Sequence, residues 1–155
     1  MVAFNIYFFD RNGCCLYTQE WTRTSDVKLG SGTVEDEFKN VFGLFFSLKR
    51  LTAALDPSTT EKPKLGGMMR IGEGCLFHSF TTNVYKFHFL ESPSGIKIVL
   101  NTSPDVGDLR EAMSTIYSSI YVENVVKHPL YSPGEPFNYD AFTGVLNKYV
   151  KAINI

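Results

Sequence analysis

Residues 85–102 read YKFHFLESPSGIKIVLNT, two strand-like runs around a turn, and their pairing decides what kind of sheet the chain can build. Pro93 presets φ at the second position of the turn. Ser94 suits the third, and Gly95 can adopt the left-handed conformation that closes a three-residue loop with a bulge. Pairing Ser92 with Ile96 sets Glu91 against Lys97, Leu90 against Ile98, Phe89 against Val99 and His88 against Leu100. Leu90, Ile98 and Leu100 then share one face, and Tyr85, Phe87, Phe89 and Val99 share the other. Two apolar faces call for a central place in a sheet covered on both sides. In this register Glu91 and Lys97 form a cross-strand surface pair.

The same logic recurs at residues 2–21, where VAFNIYFFD is followed by a turn at Arg11-Asn12-Gly13 and then by CCLYTQEW. Phe4, Ile6 and Phe8 share one face of the first run, Tyr7 and Phe9 the other. The second run turns polar at Gln19 and Glu20, as an edge strand can. Residues 22–32 have loop composition. A helix is expected from a cap at Thr33, with Glu35, Asp36 and Glu37 at its positive end, to about Asp56 before Pro57. At about 100° per residue its apolar side chains, Phe38 through Leu55, cover roughly 200°, wider than one packing stripe needs. Residues 57–74 read as a flexible loop leading to a third strand near 75–81, and Thr82-Asn83 turns the chain into the central hairpin. A second helix is expected over 106–127, capped by Asp105, with Leu109, Met113, Ile116 and Ile120 at helical spacing. Tyr117, Tyr121, Val122, Val125 and Val126 again widen its apolar face. A last helix carries Phe142, Val145, Leu146, Tyr149, Val150 and Ile153 as one stripe.

The order strand, strand, helix, three strands, helix, helix gives an α+β domain with a mostly antiparallel sheet between helical layers. A chain of 155 residues is the size of one domain, so 1–155 is read as a single unit. With 15 Lys plus Arg against 16 Asp plus Glu and the basic residues scattered, there is no electrostatic footprint for nucleic acid or a membrane surface. Three cysteines, two of them adjacent, argue against a disulfide framework. No apolar run is long enough for a membrane span, which places the chain in the cytosol.

Chemistry is sparse. Thiol catalysis would need Cys14, Cys15 or Cys75 beside His78 or His88, and each sits where ordinary strand packing accounts for it. No ligand spacing for zinc occurs, so neither a metal nor another cofactor is expected. Gly30-Ser31-Gly32 and Gly72-Glu73-Gly74 match no phosphate loop, and the acidic residues after the first would repel a phosphate. Surfaces are what remain. The excess of the two wide apolar arcs marks Leu44, Phe46 and Leu51 on the first helix and Tyr117, Tyr121 and Val125 on the second as candidate protein-interface residues.

Three blocks, FFDRNGCCLYTQEW at 8–21, YKFHFLESPSGIKIVLNT at 85–102 and IYSSIYVENVVKHPLY at 116–131, carry a resemblance that spans nearly the whole chain. In them the sequence closely resembles the small longin-fold subunits of the TRAPP (trafficking protein particle) vesicle-tethering complex. Ser92 and Ser94 stand where threonines are expected, and His128 stands for an asparagine. The resemblance implies a longin/SNARE-like fold, a five-stranded antiparallel sheet with one helix on one face and two on the other. It also implies a non-enzymatic subunit working in ER-to-Golgi transport, peripheral at the cis-Golgi and endoplasmic reticulum. Its partners would be other longin-type and Bet-family TRAPP subunits and, through the assembly, a Rab-type GTPase undergoing nucleotide exchange. The alternative is a small sigma-type clathrin-adaptor subunit that binds cargo signals. A vesicle SNARE is disfavoured because no heptad coil follows the domain, and a thiol-dependent enzyme stands further off.

Overall fold

The computed structural model describes residues 2–22, 33–58 and 76–153, and in it the central turn closes as its chemistry requires. The Ser92 amide donates to Ile96 O at 2.8 Å, Gly95 N donates to Ser92 O at 2.9 Å, and Gly95 takes φ 91°. The flanking strands β4 (Lys86–Glu91) and β5 (Lys97–Thr102) pair antiparallel with Glu91 opposite Lys97 and His88 opposite Leu100. The first hairpin joins β1 (Ala3–Phe9) to β2 (Cys15–Glu20), with Gly13 at φ 90° in its turn. β1 lies against β5, and β3 (Ser79–Thr81) completes an antiparallel sheet in the order β2-β1-β5-β4-β3. Of the expected third strand only these three residues form, and Cys75 lies outside the described residues.

Two compact units divide the chain, Met1–Thr24 with His78–Ile155 and Ser25–Phe77. The first holds the sheet and the two C-terminal helical segments. Its core joins Ile6 and Phe8 of β1, Leu16 and Tyr17 of β2 and Ile98 and Leu100 of β5 to one face of those helices. Phe8 stacks on Tyr121 at 5.6 Å and meets Phe142 edge-on at 5.6 Å, so one sheet residue ties both helical segments to the strands. Tyr7, Phe9, Phe87, Phe89 and Val99, on the opposite face of the sheet, are buried as well. Phe4 leaves the expected stripe: an irregular register between Ala3 and Asn5 lets Ala3 take the core position, and Phe4 is only half-buried.

Three expectations change here. The Glu91–Lys97 pair is not on the surface: the two side chains are 6% and 8% exposed, with Nζ 3.8 Å from the carboxylate. Lys97 Nζ also donates to Gly95 O at 3.1 Å, fastening the turn from below. The second helix does not start at a cap on Asp105. α2 (Arg110–Thr115) begins four residues late because the groups of its would-be first turn are already bonded. Lys86 Nζ donates to the carbonyls of Val106 at 2.8 Å and Gly107 at 3.0 Å, and Asp108 Oδ1 accepts the Arg110 amide at 3.0 Å.

The third change is one of period. From Ile116 to Val126 the chain continues α2 as a π-helix, and Lys127 N closes it by donating to Val122 O at 3.1 Å. Bonds between residues five apart stack positions four and five apart over one another. Ile116 with Tyr121, and Ile120 with Val125, therefore face the core together, whereas at about 100° per residue these four would spread over roughly 180°. The last helix, α3 (Asp140–Ala152), is regular and buries Phe142, Leu146 and Val150 at spacings of four.

In the second unit α1 (Val34–Ala54) starts at Thr33, whose amide and hydroxyl both donate to Asp36 Oδ2 at 2.9 Å. Those two bonds hold the Asp36 carboxyl below the usual range. The helix ends two residues before the expected Asp56, at a cap on Leu55.

Candidate interaction surface

Cys14 stands exposed in the first turn rather than in a strand, and Cys15 is half-buried in β2. Burial pushes the Cys15 thiol up to about 11, the reverse of what a nucleophile needs at neutral pH. His88 is buried, its Nε2 lies 3.0 Å from Thr102 Oγ1, and burial, reinforced by Lys86, lowers its pKa to about 4. It is a neutral packing imidazole. His78 is exposed, its carbonyl accepting the Phe89 amide at 2.9 Å, and Cys75 and both glycine loops lie outside the described residues. Among the described residues no cluster of His, Cys, Asp or Glu could hold a metal ion, and no helix is long and apolar enough to cross a membrane.

The six candidate interface residues separate. Tyr121 and Val125 are 1% and 0% exposed inside the core, so the π-helical period removes them from any surface. Tyr117 is half-buried at the edge of a groove. Leu44, Phe46 and Leu51 are exposed. On α1 the buried residues Phe45, Lys49 and Ala53 occupy one arc of roughly 80°, and Leu44, Leu51 and Leu55 occupy a second of roughly 40°, centred about 140° away. Leu48 lies between the arcs. The spacing 44, 48, 51, 55 is 4, 3, 4, the repeat of a helix-pairing seam. Its outer members, Leu51 at 54% and Leu55 at 70%, are largely in solvent. Phe46 falls on the opposite flank, stacked on Phe42 at 6.4 Å and under the Arg50 guanidinium at 5.6 Å, so it does not belong to the leucine seam.

A concave feature, which the sequence did not reveal, opens in the first unit. Its volume is about 480 Å³. The two hairpin turns, at Asp10, Arg11 and Asn12 and at Ser94 and Ile96, form one side. Tyr117, Tyr121, Val122 and Val126 of the π-helix form the floor, and Tyr131, Pro133 and Gly134 of the following link close it. Of these residues only Tyr117 and Tyr121 are among the candidate interface residues. The tyrosines were visible as an excess, but their convergence with two turns distant in sequence is set by the fold.

An antiparallel sheet of five strands whose one face carries two helical segments, with no cluster able to hold a metal ion among the described residues, defines an α+β protein of the longin-like class. The family model for the Sybindin-like family matches residues 3–153, and the chain belongs to that family. It is 36% identical over 153 residues to trafficking protein particle complex subunit 1 of Rattus norvegicus, covering 99% of this chain and 94% of the relative. The protein of the same name from Dictyostelium discoideum is 35% identical over 150 residues, 97% of this chain and 95% of the relative. Transport protein particle subunit bet5 of Schizosaccharomyces pombe is 27% identical over 168 residues, with 99% of each chain covered.

Proposed function

We propose that this chain is a non-catalytic subunit of a TRAPP vesicle-tethering complex. It acts in ER-to-Golgi transport as part of the scaffold on which a Rab-type GTPase exchanges its nucleotide. Its partners are longin-type and Bet-family sibling subunits, and it reaches the cis-Golgi and endoplasmic reticulum peripherally, through the assembly. The relatives that match this chain end to end bear the names of such subunits. The observation in the molecule that carries the reading is the seam Leu44, Leu48, Leu51 and Leu55: about three turns of leucine at helix-pairing spacing, with Leu44, Leu51 and Leu55 left in solvent beside an already buried arc. It fits the apolar face of a sibling subunit. Phe46 on the opposite flank would serve a separate, smaller contact. The reading asks no acid, base or nucleophile of the chain. Membership of the Sybindin-like family takes the place of the clathrin-adaptor alternative.

The test is affinity purification of the tagged full chain from cytosol with identification of the chains that accompany it. Sibling TRAPP subunits are expected, and Leu44→Gln with Leu51→Gln should remove them while the chain stays folded. Purification of adaptor chains, or of no sibling at all, overturns the assignment.

A further inference from the structure

Gly13 closes the first hairpin turn at φ 90°, a conformation that favours glycine, and the residue before it is Asn12. The turn thereby brings into the chain a pair with covalent chemistry of its own. An asparagine side chain can be attacked by the backbone nitrogen of the next residue, and a glycine has no side chain to stand in the way. Of nine asparagines only Asn12 precedes a glycine, whereas Asn40, Asn83 and Asn124 precede valines, whose branching shields the nitrogen. Asn12 is exposed, so solvent reaches it.

The reaction needs only water. The Gly13 nitrogen gives its proton to solvent and attacks Asn12 Cγ, and the new C–N bond closes a five-membered imide. The Cγ–Nδ2 bond breaks, and that nitrogen takes up a proton and leaves as ammonia. Water then adds to one of the two ring carbonyls and opens the ring to aspartate or to isoaspartate. Asp10 engages the groups that have to move. Gly13 N, the nucleophile, donates to Asp10 O at 3.2 Å, and Asn12 Nδ2, the leaving group, donates to Asp10 Oδ2 at 3.4 Å. Asp10 Oδ1 accepts the amides of Asn12 at 2.9 Å and Cys14 at 2.8 Å, which fixes the backbone on both sides of the Asn12–Gly13 bond. Asp10 itself is buried, with Lys97 Nζ donating to its carbonyl at 3.4 Å. Ring closure therefore requires the turn to open.

We infer that Asn12–Gly13 is a site of spontaneous deamidation held in check by Asp10, and that its acidic product releases the first turn from the second. The inference does not depend on the assembly reading or on the seam of α1. A carboxylate at position 12 has no proton to donate, and it replaces a donor 3.4 Å from Asp10 Oδ2 with a like charge. Isoaspartate also lengthens the backbone by one carbon, which misfits the loop closed by Asp10 N on Cys14 O at 3.0 Å. What is lost with the turn is the tie from Arg11 Nη2 to Ser94 O at 3.1 Å, and Ser94 Oγ in turn lies 3.0 Å from the Tyr117 hydroxyl. Asn12 lines the groove, so the change also adds a negative charge to an edge where Asp10 and Arg11 now balance.

The test holds the full chain in mildly alkaline buffer, folded and in urea, and follows the Asn12 peptide by the mass gain of an amide-to-acid change. Asn12 should convert readily in urea and roughly tenfold or more slowly in the folded chain. Asp10→Ala removes the side-chain bonds and keeps the carbonyl, and it should speed conversion in the folded state roughly three- to tenfold while leaving the rate in urea unchanged. In Asn12→Asp the amide resonances of Cys14, Ser94 and Tyr117 should shift while those of Phe142 and Leu146 stay in place. Failure of Asn12 to convert in urea overturns the site, and equal rates in the folded and unfolded parent, a comparison that needs no variant, overturn the protection. A folded Asp10→Ala chain that converts no faster than the parent overturns the part given to Asp10. Unmoved Ser94 and Tyr117 resonances in Asn12→Asp overturn the release of the turn.

Discussion

The π-helix Ile116–Val126 and the helix α1 both carry more apolar side chains than one face can bury at about 100° per residue, and they resolve the excess in opposite ways. The first changes its period, so that Ile116, Ile120, Tyr121 and Val125 converge on one core. The second keeps the ordinary period, and Leu44, Leu51 and Leu55 stay outside. An over-wide arc is therefore not by itself the mark of a partner. It becomes one only where the backbone keeps the period that makes the arc wide.

Truncation should separate the two helices most sharply. Tyr121→Ala removes a ring that stacks on Phe8 and should cost about 3–5 kcal/mol in denaturant unfolding. Leu51→Ala, at an exposed position, should change stability by less than about 0.5 kcal/mol. Equal losses in the two variants would break the comparison. The buried ion pair should show a comparable cost: Lys97→Ala takes the ammonium from the Glu91 carboxylate and from Gly95 O, and about 3 kcal/mol should be lost, whereas a surface pair would lose less than about 1 kcal/mol.

His88 gives the next effect in size. Burial lowers its pKa from 6.5 to about 4, so between these values the unfolded chain binds the proton first. Stability contributed by the neutral ring is complete above pH 6.5 and falls as the pH drops towards 4, by at most about 3 kcal/mol. The difference in unfolding midpoint between His88→Gln and the parent should narrow as the pH falls over that interval, and a constant difference would show that the ring takes up its proton equally in the folded and unfolded chain. The smallest effect belongs to solution behaviour. Leu44→Gln with Leu51→Gln should reduce hydrophobic-dye binding by the isolated chain without moving its unfolding midpoint, and a parent chain that binds no dye would count against the seam.

What the sequence revealed was what neighbouring residues determine. The three-residue turn, the register through Glu91 and Lys97, the Arg11-Asn12-Gly13 turn and the Thr33 cap all rest on conformations that a few adjacent side chains set. The same register put Glu91 and Lys97 on the surface, because pairing says which residues face each other and nothing about what lies over them. The Asp105 cap failed for a similar reason, since a lysine twenty residues earlier in the chain takes the carbonyls that a helix there would need. Of the six interface candidates, three remain exposed and one edges the groove. Tyr121 and Val125 were misplaced because residue spacing was converted into direction with the wrong period. The groove was illegible, for Ser94, Tyr117 and Arg11 meet only when both hairpins and the π-helix are in place.

At the rim of the sheet the Phe137 amide donates to Leu16 O at 3.0 Å, reaching the outer side of β2 from the link that precedes α3. Trp21 Nε1 on Asn147 Oδ1 at 2.6 Å and the Tyr17 hydroxyl on Thr143 Oγ1 at 2.9 Å hold that helix against the same strand. The link thus occupies part of the outer side of β2, which limits strand-on-strand templating, the route by which open sheet borders aggregate, and β3 on the far side offers only three residues. Where the sheet borders are short or partly occupied in this way, leucines kept in solvent carry less risk, since contacts made through side chains leave the backbone no ladder along which to propagate.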